Sequence, residues 1–298
     1  MSSRRAEQGA WDHGAQYFKV RSPHFERHVA AWLRQGVVSE WTAPIHVVRP
    51  GSPARASRSQ ARRFVGSPRM SALTRHLSTD LKVRSGVRVA AVERESDQWC
   101  LRDADGASIG TWDRVVLATP SPQASDLLPD ACDAFRTHLS KVQIDPCWAL
   151  LVEYDAPWDG PFDAAMVEDS PLSWVAREPS KPGRTKGERW IAHASPAWSQ
   201  AHLEREAEWV EAQLVEALRE VLGDGGSSPT HHKAHRWRYA LVTEPLGLDC
   251  LYDVERGVGL CGDWCLGGRV EAAWQSGVAM AGRLLGEGTD SPSPSGAV

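Results

Sequence analysis

The sequence predicts a mixed α/β or α+β protein, because helical and strand patterns alternate along the chain without an internal repeat. A short apolar run, Arg114 to Thr119, is typical of a buried strand. Ser22-Pro23 and Ser121-Pro122 each place a capping serine before a proline, which predicts a helix start. The length of 298 residues fits two domains, or one domain with a large insertion.

Composition and charge narrow the classes of function. The chain has 42% hydrophobic and 24% charged residues, which is typical of a globular protein. Its net charge of −4 gives no overall field that would recruit nucleic acid. We expect a cytoplasmic protein with no membrane partner, because the sequence has neither a signal peptide nor an apolar run of roughly 18 residues. The six cysteines show no metal-binding spacing, so we expect reduced thiols and no metal site.

Several local patterns predict individual elements in the first half of the chain. Ser67-Pro68 repeats the helix-start signal. Val87 and Val89 alternate with polar residues, which favours a strand. In the second half, Ser195-Pro196 predicts the start of the longest helix, and the segment from His231 to Leu241 reads as a strand rich in basic and aromatic side chains.

The stretch from Gly257 to Leu285 predicts a strand, a tight turn and a helix. Its apolar start suits a buried strand, Gly267-Gly268 permits a sharp turn, and small residues follow on the helix. A helix start carries unpaired N–H groups and suits an anion or a polarised carbonyl. The pattern resembles the flavin-contacting segment of amine-oxidase-like proteins, whereas the simpler interpretation is an ordinary strand–turn–helix packed on a sheet.

Five segments in this order are similar to the renalase-like proteins, a flavoprotein family related to the amine oxidases. They are Asp12–Phe18 (DHGAQYF), Gly66–Leu77 (GSPRMSALTRHL), Asp113–Gln123 (DRVVLATPSPQ), His235–Ala240 (HRWRYA) and Gly259–Gly277 (GLCGDWCLGGRVEAAWQSG). Because they span nearly the whole chain, they are more specific together than any one motif.

The resemblance implies a discontinuous Rossmann-like FAD-binding domain interrupted by an antiparallel-sheet substrate domain, with FAD between them. The implied FAD-binding ranges are 1–35, 67–130 and 255–286, and the implied substrate-domain ranges are 36–66 and 131–254. The Gly-, Ser- and Pro-rich residues 287–298 predict a disordered tail.

The resemblance also implies which residues contact FAD. Asp263 would accept hydrogen bonds from FAD hydroxyls or orient the loop by the pyrophosphate. The amides of Gly268, Arg269 and Val270 would meet the flavin pyrimidine, where negative charge develops on reduction. The remaining implied contacts are Arg4, Gly14, Ala15, Val87, Val89, Ala118, Pro120 and Gly262.

Four residues are candidates for the reaction site. Gln16 and Tyr17 would line the flavin ring, and Trp237 and Tyr239 would form a wall of the substrate pocket. The alternative for Trp237 and Tyr239 is that they are ordinary residues of the hydrophobic core. Because Arg236 and Arg238 alternate with these aromatics, we expect the two pairs to face opposite sides of the strand.

The chain departs from its relatives at the N-terminus. FAD enzymes of this kind begin with a strand, a G-x-G-x-x-G turn, a helix and an acidic residue for the ribose. We identify none of these features in the chain, and the nearest candidate for the turn, Gly262–Gly268, is in the wrong place. Residues 1–5 resemble the inside of a Gly-Gly-Arg-Met turn that follows such a unit. We therefore expect either a start codon assigned at an internal methionine or a truncated product that binds FAD poorly.

The resemblance implies an FAD-dependent oxidoreductase. Its small-molecule substrates would be dihydronicotinamide isomers of NAD(P)H, and oxygen would receive the electrons. One alternative is an amine oxidase or desaturase-type flavoenzyme. Another is a non-catalytic remnant that serves as a binding protein.

Overall fold

The computed structural model describes residues 1–6, 9–223 and 228–286, which form seven α-helices and 17 β-strands. The helices are α1 (Pro23–Arg34), α2 (Ser71–Leu77), α3 (Ser121–Leu127), α4 (Asp133–Leu139), α5 (Pro196–Ala201), α6 (Ala207–Leu222) and α7 (Val270–Leu285). The strands are β1 (Arg4–Ala6), β2 (Gly9–Trp11), β3 (Val38–Glu40), β4 (Ile45–Val48), β5 (Arg55–Ala56), β6 (Phe64–Gly66), β7 (Ala91–Glu95), β8 (Gln98–Arg102), β9 (Ser108–Trp112), β10 (Val115–Leu117), β11 (Gln143–Tyr154), β12 (Ala164–Val167), β13 (Leu172–Arg177), β14 (Glu188–Ala194), β15 (His231–Glu244), β16 (Leu251–Asp253) and β17 (Val258–Leu260). The mixed α/β class is confirmed. The tail predicted to be disordered, 287–298, lies outside the described residues.

The chain forms two compact units, each built from two ranges. Unit 1 contains residues 1–82 and 145–241, and unit 2 contains residues 83–144 and 242–298. These limits differ from the implied domains, because residues 1–35 and 67–82 belong to unit 1 together with most of the predicted substrate domain. The division into an FAD-binding and a substrate domain stays a prediction.

Unit 1 is organised around a seven-stranded sheet. The strand order is β15-β11-β14-β13-β12-β4-β5, and β4 pairs with β12 in parallel, with Ile45 opposite Ala164. Buried residues of α6, among them Val210, Leu214 and Leu218, pack with the sheet in one apolar cluster. This packing fixes the sheet whose strands β13 and β14 flank the candidate site.

The start of α1 follows directly from its sequence. The Ser22 hydroxyl accepts a hydrogen bond from the Phe25 amide at 3.3 Å, and Pro23 occupies the first helical position. Phe25, Val29 and Trp32 are buried on one face of α1, as their spacing predicts.

Unit 2 contains a small sheet of order β10-β17-β16 and a separate three-stranded meander, β7-β8-β9. Strands β10 and β17 run parallel, with Leu117 opposite Leu260, so both carboxyl ends lie at one edge. Helix α7 packs close to β17, because a Cβ added at Gly259 would lie 2.6 Å from the Met280 sulfur. The absence of a side chain at Gly259 therefore permits the close approach of α7 to β17.

Three local predictions are wrong. Helix α2 begins at Ser71 rather than at Ser67-Pro68, and its N-cap residue makes no side-chain capping bond. The predicted long helix is divided into α5 and α6 by residues 202–206. The strand expected at Val87 and Val89 is absent from the described structure, since β7 begins only at Ala91.

Two features are absent from the described residues. No helix in this part of the chain combines the length and apolar character needed to cross a lipid bilayer. In the same ranges, no cluster of three or more His, Cys, Asp or Glu side chains could hold a metal ion.

Candidate functional site

The N-terminal segment 11–18 is anchored in unit 1. The indole Nε1 of Trp11 donates to the Val152 carbonyl of β11 at 3.0 Å. At the other end, the amide of Phe18 donates to the Phe64 carbonyl at 2.9 Å, and the reverse bond has the same length. Residues 12–17 are therefore held between two fixed points.

Asp12 is the centre of a buried network of charged side chains. Its carboxylate accepts hydrogen bonds from the Ser3 hydroxyl at 2.6 Å and from the Met70 amide at 2.9 Å. It also pairs with Arg184, and the Lys181 Nζ lies 3.8 Å from Oδ2. Burial raises the pKa of Asp12, but the cations of Lys181 and Arg184 outweigh it, so the pKa lies below its usual value.

Glu178 and Lys181 form the second part of this network. The Lys181 Nζ donates to Glu178 Oε1 at 2.8 Å, and both side chains are almost completely buried. The same Oε1 accepts from the Asp12 amide at 3.1 Å. Burial raises the pKa of Glu178, and its Oε2 has no hydrogen-bond partner among the described residues.

The side chain of Gln16 uses its whole hydrogen-bonding capacity within the protein. Its Nε2 donates to the carbonyl oxygens of Asp12 and, at 3.1 Å, of Gly14. Its Oε1 accepts from Lys181 Nζ at 3.1 Å and from Trp174 Nε1 at 3.4 Å. Gln16 is only 7% exposed, so the structure gives it a bracing role, and its predicted contact with the flavin ring stays a prediction.

Tyr17 lies in an aromatic group of unit 1. Its ring centroid is 5.6 Å from that of Trp174 and 6.0 Å from that of Trp41. Burial raises the pKa of Tyr17, against an opposing effect of Arg63. The phenol therefore stays neutral at physiological pH and can donate a hydrogen bond.

Trp237 belongs to a second aromatic group, which includes two histidines. Its indole stacks on His13 with centroids 5.2 Å apart and an interplanar angle of 29°, and Nε1 donates to the His13 carbonyl at 3.0 Å. The His235 ring contacts both, and an Arg4 nitrogen lies 3.5 Å from His235 Nδ1. The structure thus brings Arg4, Trp237 and the Gly14–Tyr17 segment together.

The two buried histidines beside this segment are neutral. Burial, together with the nearby His235 and Arg4, lowers the pKa of His13 to about 4. Burial also lowers the pKa of His193 to about 4. The His193 Nε2 lies 3.2 Å from the His13 carbonyl. Both rings are therefore uncharged near pH 7.

The alternation on β15 separates its aromatic and basic side chains. Arg236 and Arg238 both pair with Glu204, with shortest distances of 3.3 and 2.5 Å. Trp237 contacts His13 instead, so its side chain faces away from the two arginines, and the same orientation for Tyr239 stays a prediction. Tyr239 lies two residues further along and is half-buried, and the structure records no bond from it to His13 or Trp237.

In unit 2, the ends of the two parallel strands bring a second set of predicted residues together. The Cys261 amide donates to the Leu117 carbonyl at 3.2 Å, and Trp264 Nε1 donates to the Thr119 carbonyl at 3.0 Å. The register therefore places Ala118 to Pro120 beside Gly262 and Asp263. Open α/β sheets bind ligands at the carboxyl ends of their strands.

The turn after β17 is held by its own backbone. Asp263 begins a short 3₁₀ turn, its carbonyl accepts from the Gly267 amide at 2.7 Å, and burial raises the pKa of its carboxyl. The Arg269 amide donates to the Gly267 carbonyl at 2.7 Å. Of the three amides predicted to meet the flavin, those of Gly268 and Val270 have no acceptor among the described residues, whereas that of Arg269 has one.

Val87 and Val89 lie apart from any strand. Val87 is 47% exposed, and Val89 packs against the apolar cluster of unit 2. Their predicted contact with FAD stays a prediction, without the strand on which it was based.

The expectation that the chain has no G-x-G-x-x-G spacing is wrong, because Gly257–Gly262 has it. The structure places its centre inside β17, which pairs with β10 on one side and β16 on the other. A phosphate-binding turn needs free backbone amides after a strand. This match therefore has a structural role.

Lys181 and Asp12, which hold segment 12–17 in place, were not among the predicted site residues. Residues 179–187 form a Pro- and Gly-containing loop, a type of segment that usually lies at the surface, yet Lys181 is fully buried in it. The local sequence around a lysine in such a loop is the same whether the side chain is buried or exposed. Asp12 was inside a recognised segment, but its role was not inferred.

A groove of about 490 Å³ lies along α1 and does not coincide with these residues. Lys19, Ser22, Leu33, Arg62 and Phe64 are among its lining residues, and no predicted site residue lines it. We attach no function to it.

Two sets of polar atoms decide whether FAD suits the residues at the ends of β10 and β17. The hydroxyl oxygens of Thr119 and Ser121 are buried and have no hydrogen-bond partner among the described residues. Buried hydroxyls without partners indicate a ligand or water that completes them. Together with the amides of Gly268 and Val270, they offer donors to a polar cofactor, so the residues present fit FAD.

Comparison with known proteins agrees with this chemistry. Residues 48–285 match the family of flavin containing amine oxidoreductases. A putrescine oxidase bound to putrescine is 11% identical and has a TM-score of 0.66, with 96% of this chain and 90% of that chain covered. A protein assigned as protoporphyrinogen oxidase from Exiguobacterium sp. 255-15 is 15% identical, with a TM-score of 0.60 and 77% of this chain covered. The chain spans about half of that protein, 54% of its length.

At such low identities the solved structures show a shared fold. The family match covers most of the chain and includes β10, β17 and α7. The chain therefore belongs to the flavin containing amine oxidoreductases, and its cofactor is FAD.

Proposed function

We propose that this protein is a renalase-like FAD-dependent oxidoreductase. Its substrates are isomers of dihydronicotinamide dinucleotides, and oxygen is the final electron acceptor. FAD supplies the hydride acceptor when it is bound. The chain's own residues bind the donor, orient its ring and supply hydrogen bonds to the reduced cofactor.

The observation that carries the proposal is the group formed by Trp237, His13 and His235. Trp237 is only half-buried, so part of its indole is available to a flat ring. Its other contacts hold it in place, because it stacks on His13 and donates to that residue's carbonyl. A preorganised aromatic wall suits a planar nicotinamide.

The charge next to this wall favours an anionic substrate. Arg4 contacts the His235 ring, and no carboxylate among the described residues forms an ion pair with it. The nearby carboxylate of Asp12 is neutralised by Arg184 and Lys181. A dinucleotide brings phosphates to such a site, whereas a diamine brings positive charge.

The neutral histidines are compatible with a reaction that needs no strong base. A dihydropyridine transfers hydride without losing a proton from nitrogen, so neither His13 nor His193 has to act. Their low pKa values keep them uncharged near the donor. They serve to shape the wall.

In unit 2, the residues after β10 and β17 are proposed to hold the cofactor. Thr119 and Ser121 offer hydroxyls, Asp263 offers an acceptor, and Gly268 and Val270 offer amides. Amide donors near a ring that becomes negative on reduction stabilise that charge. Arg4, Gly14 and Ala15 are likewise proposed as cofactor contacts.

An amine oxidase is the second candidate. The observation that favours it is the likeness to putrescine oxidase, which covers 96% of this chain. An amine must be neutral to be oxidised, and a neutral imidazole such as that of His13 could accept its proton.

One spectroscopic experiment separates these proposals. The purified protein is first examined for flavin bands near 375 and 450 nm, approximate values characteristic of the cofactor. It is then mixed anaerobically with either a dihydronicotinamide dinucleotide isomer or putrescine. Bleaching of the band near 450 nm by the dinucleotide alone supports the proposal, and bleaching by putrescine alone contradicts it. A protein that never acquires the bands is a binding protein.

A further inference from the structure

Lys181 lies in the loop between β13 and β14 and is fully buried. Its ammonium group points at three acceptors: Glu178 Oε1 at 2.8 Å, Gln16 Oε1 at 3.1 Å and Asp12 Oδ2 at 3.8 Å. The first two contacts are hydrogen bonds, and the third is an ion pair over a longer distance. Because its ammonium group is enclosed by these three side chains, Lys181 acts on its neighbours.

The hydrogen bonds of Gln16 make its orientation depend on Lys181. In the observed orientation, Oε1 faces the Lys181 ammonium and the Trp174 N–H, and Nε2 faces the carbonyls of Asp12 and Gly14. Rotating the amide by 180° would place N–H groups against two donors and oxygen against two acceptors. The positive charge of Lys181 makes that exchange especially unfavourable.

The amide of Gln16 in turn fixes the backbone that precedes it. Its two bonds to the Asp12 and Gly14 carbonyls close a compact turn. The backbone at Gly14 is closely packed, because an added Cβ would lie 3.3 Å from the Ser2 nitrogen. A change at Gln16 is therefore transmitted to Gly14 and Ala15.

The charges in this network balance. The carboxylates of Asp12 and Glu178 face the cations Lys181 and Arg184, and the pKa of Glu178 is already raised by burial. Removing one cation leaves two buried carboxylates with one partner, which is strongly unfavourable. Lys186, in the same loop, is exposed and provides a matched control for the loss of charge.

We propose that Lys181 is a positioning residue, which sets the Gln16 amide and through it the Gly14–Ala15 turn. The inference rests on the proposed function, because that function makes the turn a cofactor contact. Lys181 would thus affect the rate of flavin reduction although its side chain contacts neither FAD nor the hydride donor.

Anaerobic stopped-flow reduction tests the proposal with Lys181→Met, Gln16→Met, the double variant and Lys186→Met. Each of the first two should slow flavin reduction at saturating dinucleotide by about tenfold to a hundredfold, the effect of a displacement of about 1 Å. The donor's Kd should change by less than about threefold. The double variant should be no more than about twofold slower than the slower single variant, and Lys186→Met should match the parent. The proposal would be overturned if the fold-losses in rate of the two single variants multiplied in the double variant. It would also be overturned if flavin reduction in Lys181→Met were as fast as in the parent.

A second measurement keeps the inference separate from the choice of substrate. If the parent binds FAD but no donor reduces it, the proposed function fails, and the FAD dissociation constants of the same variants are compared instead. Lys181→Met and Gln16→Met should then weaken FAD binding to the same degree, and the double variant should bind FAD no more weakly than either single variant. Independent effects on FAD affinity would overturn the positioning role.

Thermal unfolding covers the case in which Lys181→Met folds poorly. Its melting temperature should fall by roughly 10 °C, the consequence of an unpaired buried charge. Adding Glu178→Gln should restore at least half of that loss, because it removes the excess negative charge. A double variant that melts below Lys181→Met would mean that Lys181 contributes only packing, and would overturn the role of its charge.

Discussion

The Gln16 and Asp12 side chains of unit 1 and the strand ends of unit 2 differ in how completely their polar groups are paired. Gln16 satisfies all of its hydrogen bonds within the protein, and the Asp12 carboxylate accepts hydrogen bonds from Ser3, Met70 and Arg184. In unit 2, the hydroxyls of Thr119 and Ser121 are buried without partners.

This difference separates residues that stabilise the fold from residues that are available to bind a ligand. Saturated groups stabilise the folded chain and gain nothing from a ligand, whereas unpaired buried groups gain hydrogen bonds when a polar ligand arrives. Changes near Asp12 should therefore affect stability first. Changes at Thr119 or Asp263 should affect FAD affinity first.

The largest effect is expected for Asp12→Ala. The change leaves the buried cations of Lys181 and Arg184 with one partner fewer, so unfolding in urea at pH 7 should show a loss of about 3–5 kcal/mol. Because the folded pKa of Asp12 lies below 3.8, this contribution is fully present above that pH and is lost as the pH falls through the folded pKa. Asp155→Ala, at an exposed position, should change little. A loss below 1 kcal/mol would show that the network adds no stability.

The neutral histidines predict a second, pH-dependent effect. The pKa of His193 is lowered from 6.5 to about 4, so the unfolded chain takes up a proton that the folded chain refuses. Stability should therefore rise between about pH 4 and 6.5, by roughly 3 kcal/mol for this residue, and stay level above. His193→Gln should flatten this dependence, and an unchanged slope would contradict the assignment.

Asp263→Ala should weaken FAD binding by about 1–3 kcal/mol, the usual cost of leaving charge-assisted partners unpaired. Burial raises the pKa of Asp263, so its ionised form does not stabilise the protein alone, and the melting temperature without FAD should not fall. Fluorescence titration with FAD measures the affinity, and Asp249→Ala, at an exposed position, is the control. Equal FAD affinity in variant and parent would remove Asp263 from the site.

Trp237→Ala should slow flavin reduction by a dihydronicotinamide by about tenfold, which corresponds to roughly 1.4 kcal/mol. FAD content and melting temperature should stay nearly unchanged, because Trp237 is only half-buried. Trp209→Ala on α6 is the matched control, since that indole is 39% exposed. A large fall in melting temperature without a kinetic change would make Trp237 a core residue.

The sequence was sufficient where local chemistry dominates. Ser22-Pro23 begins α1, the run ending at Thr119 contains β10, and α7 begins at Val270 after its glycine turn. It was insufficient where distant segments meet. Lys181 is buried because Gln16 and Asp12, more than 160 residues away, supply a hydrogen bond and an ion pair to its ammonium group. No local pattern encodes such a contact.

The smallest effect is expected for Thr119→Val. This variant is also the most direct test of whether the buried hydroxyls of unit 2 that lack hydrogen-bond partners contact the cofactor. FAD affinity and unfolding without FAD are measured on the same preparation, with the exposed Thr137→Val as control. We predict FAD binding weaker by about 1 kcal/mol, or roughly fivefold, and an unfolding free energy that is unchanged or higher, because the valine removes an unpaired buried hydroxyl. Unchanged FAD affinity together with lower stability would contradict the assignment of unit 2's unpaired groups to FAD.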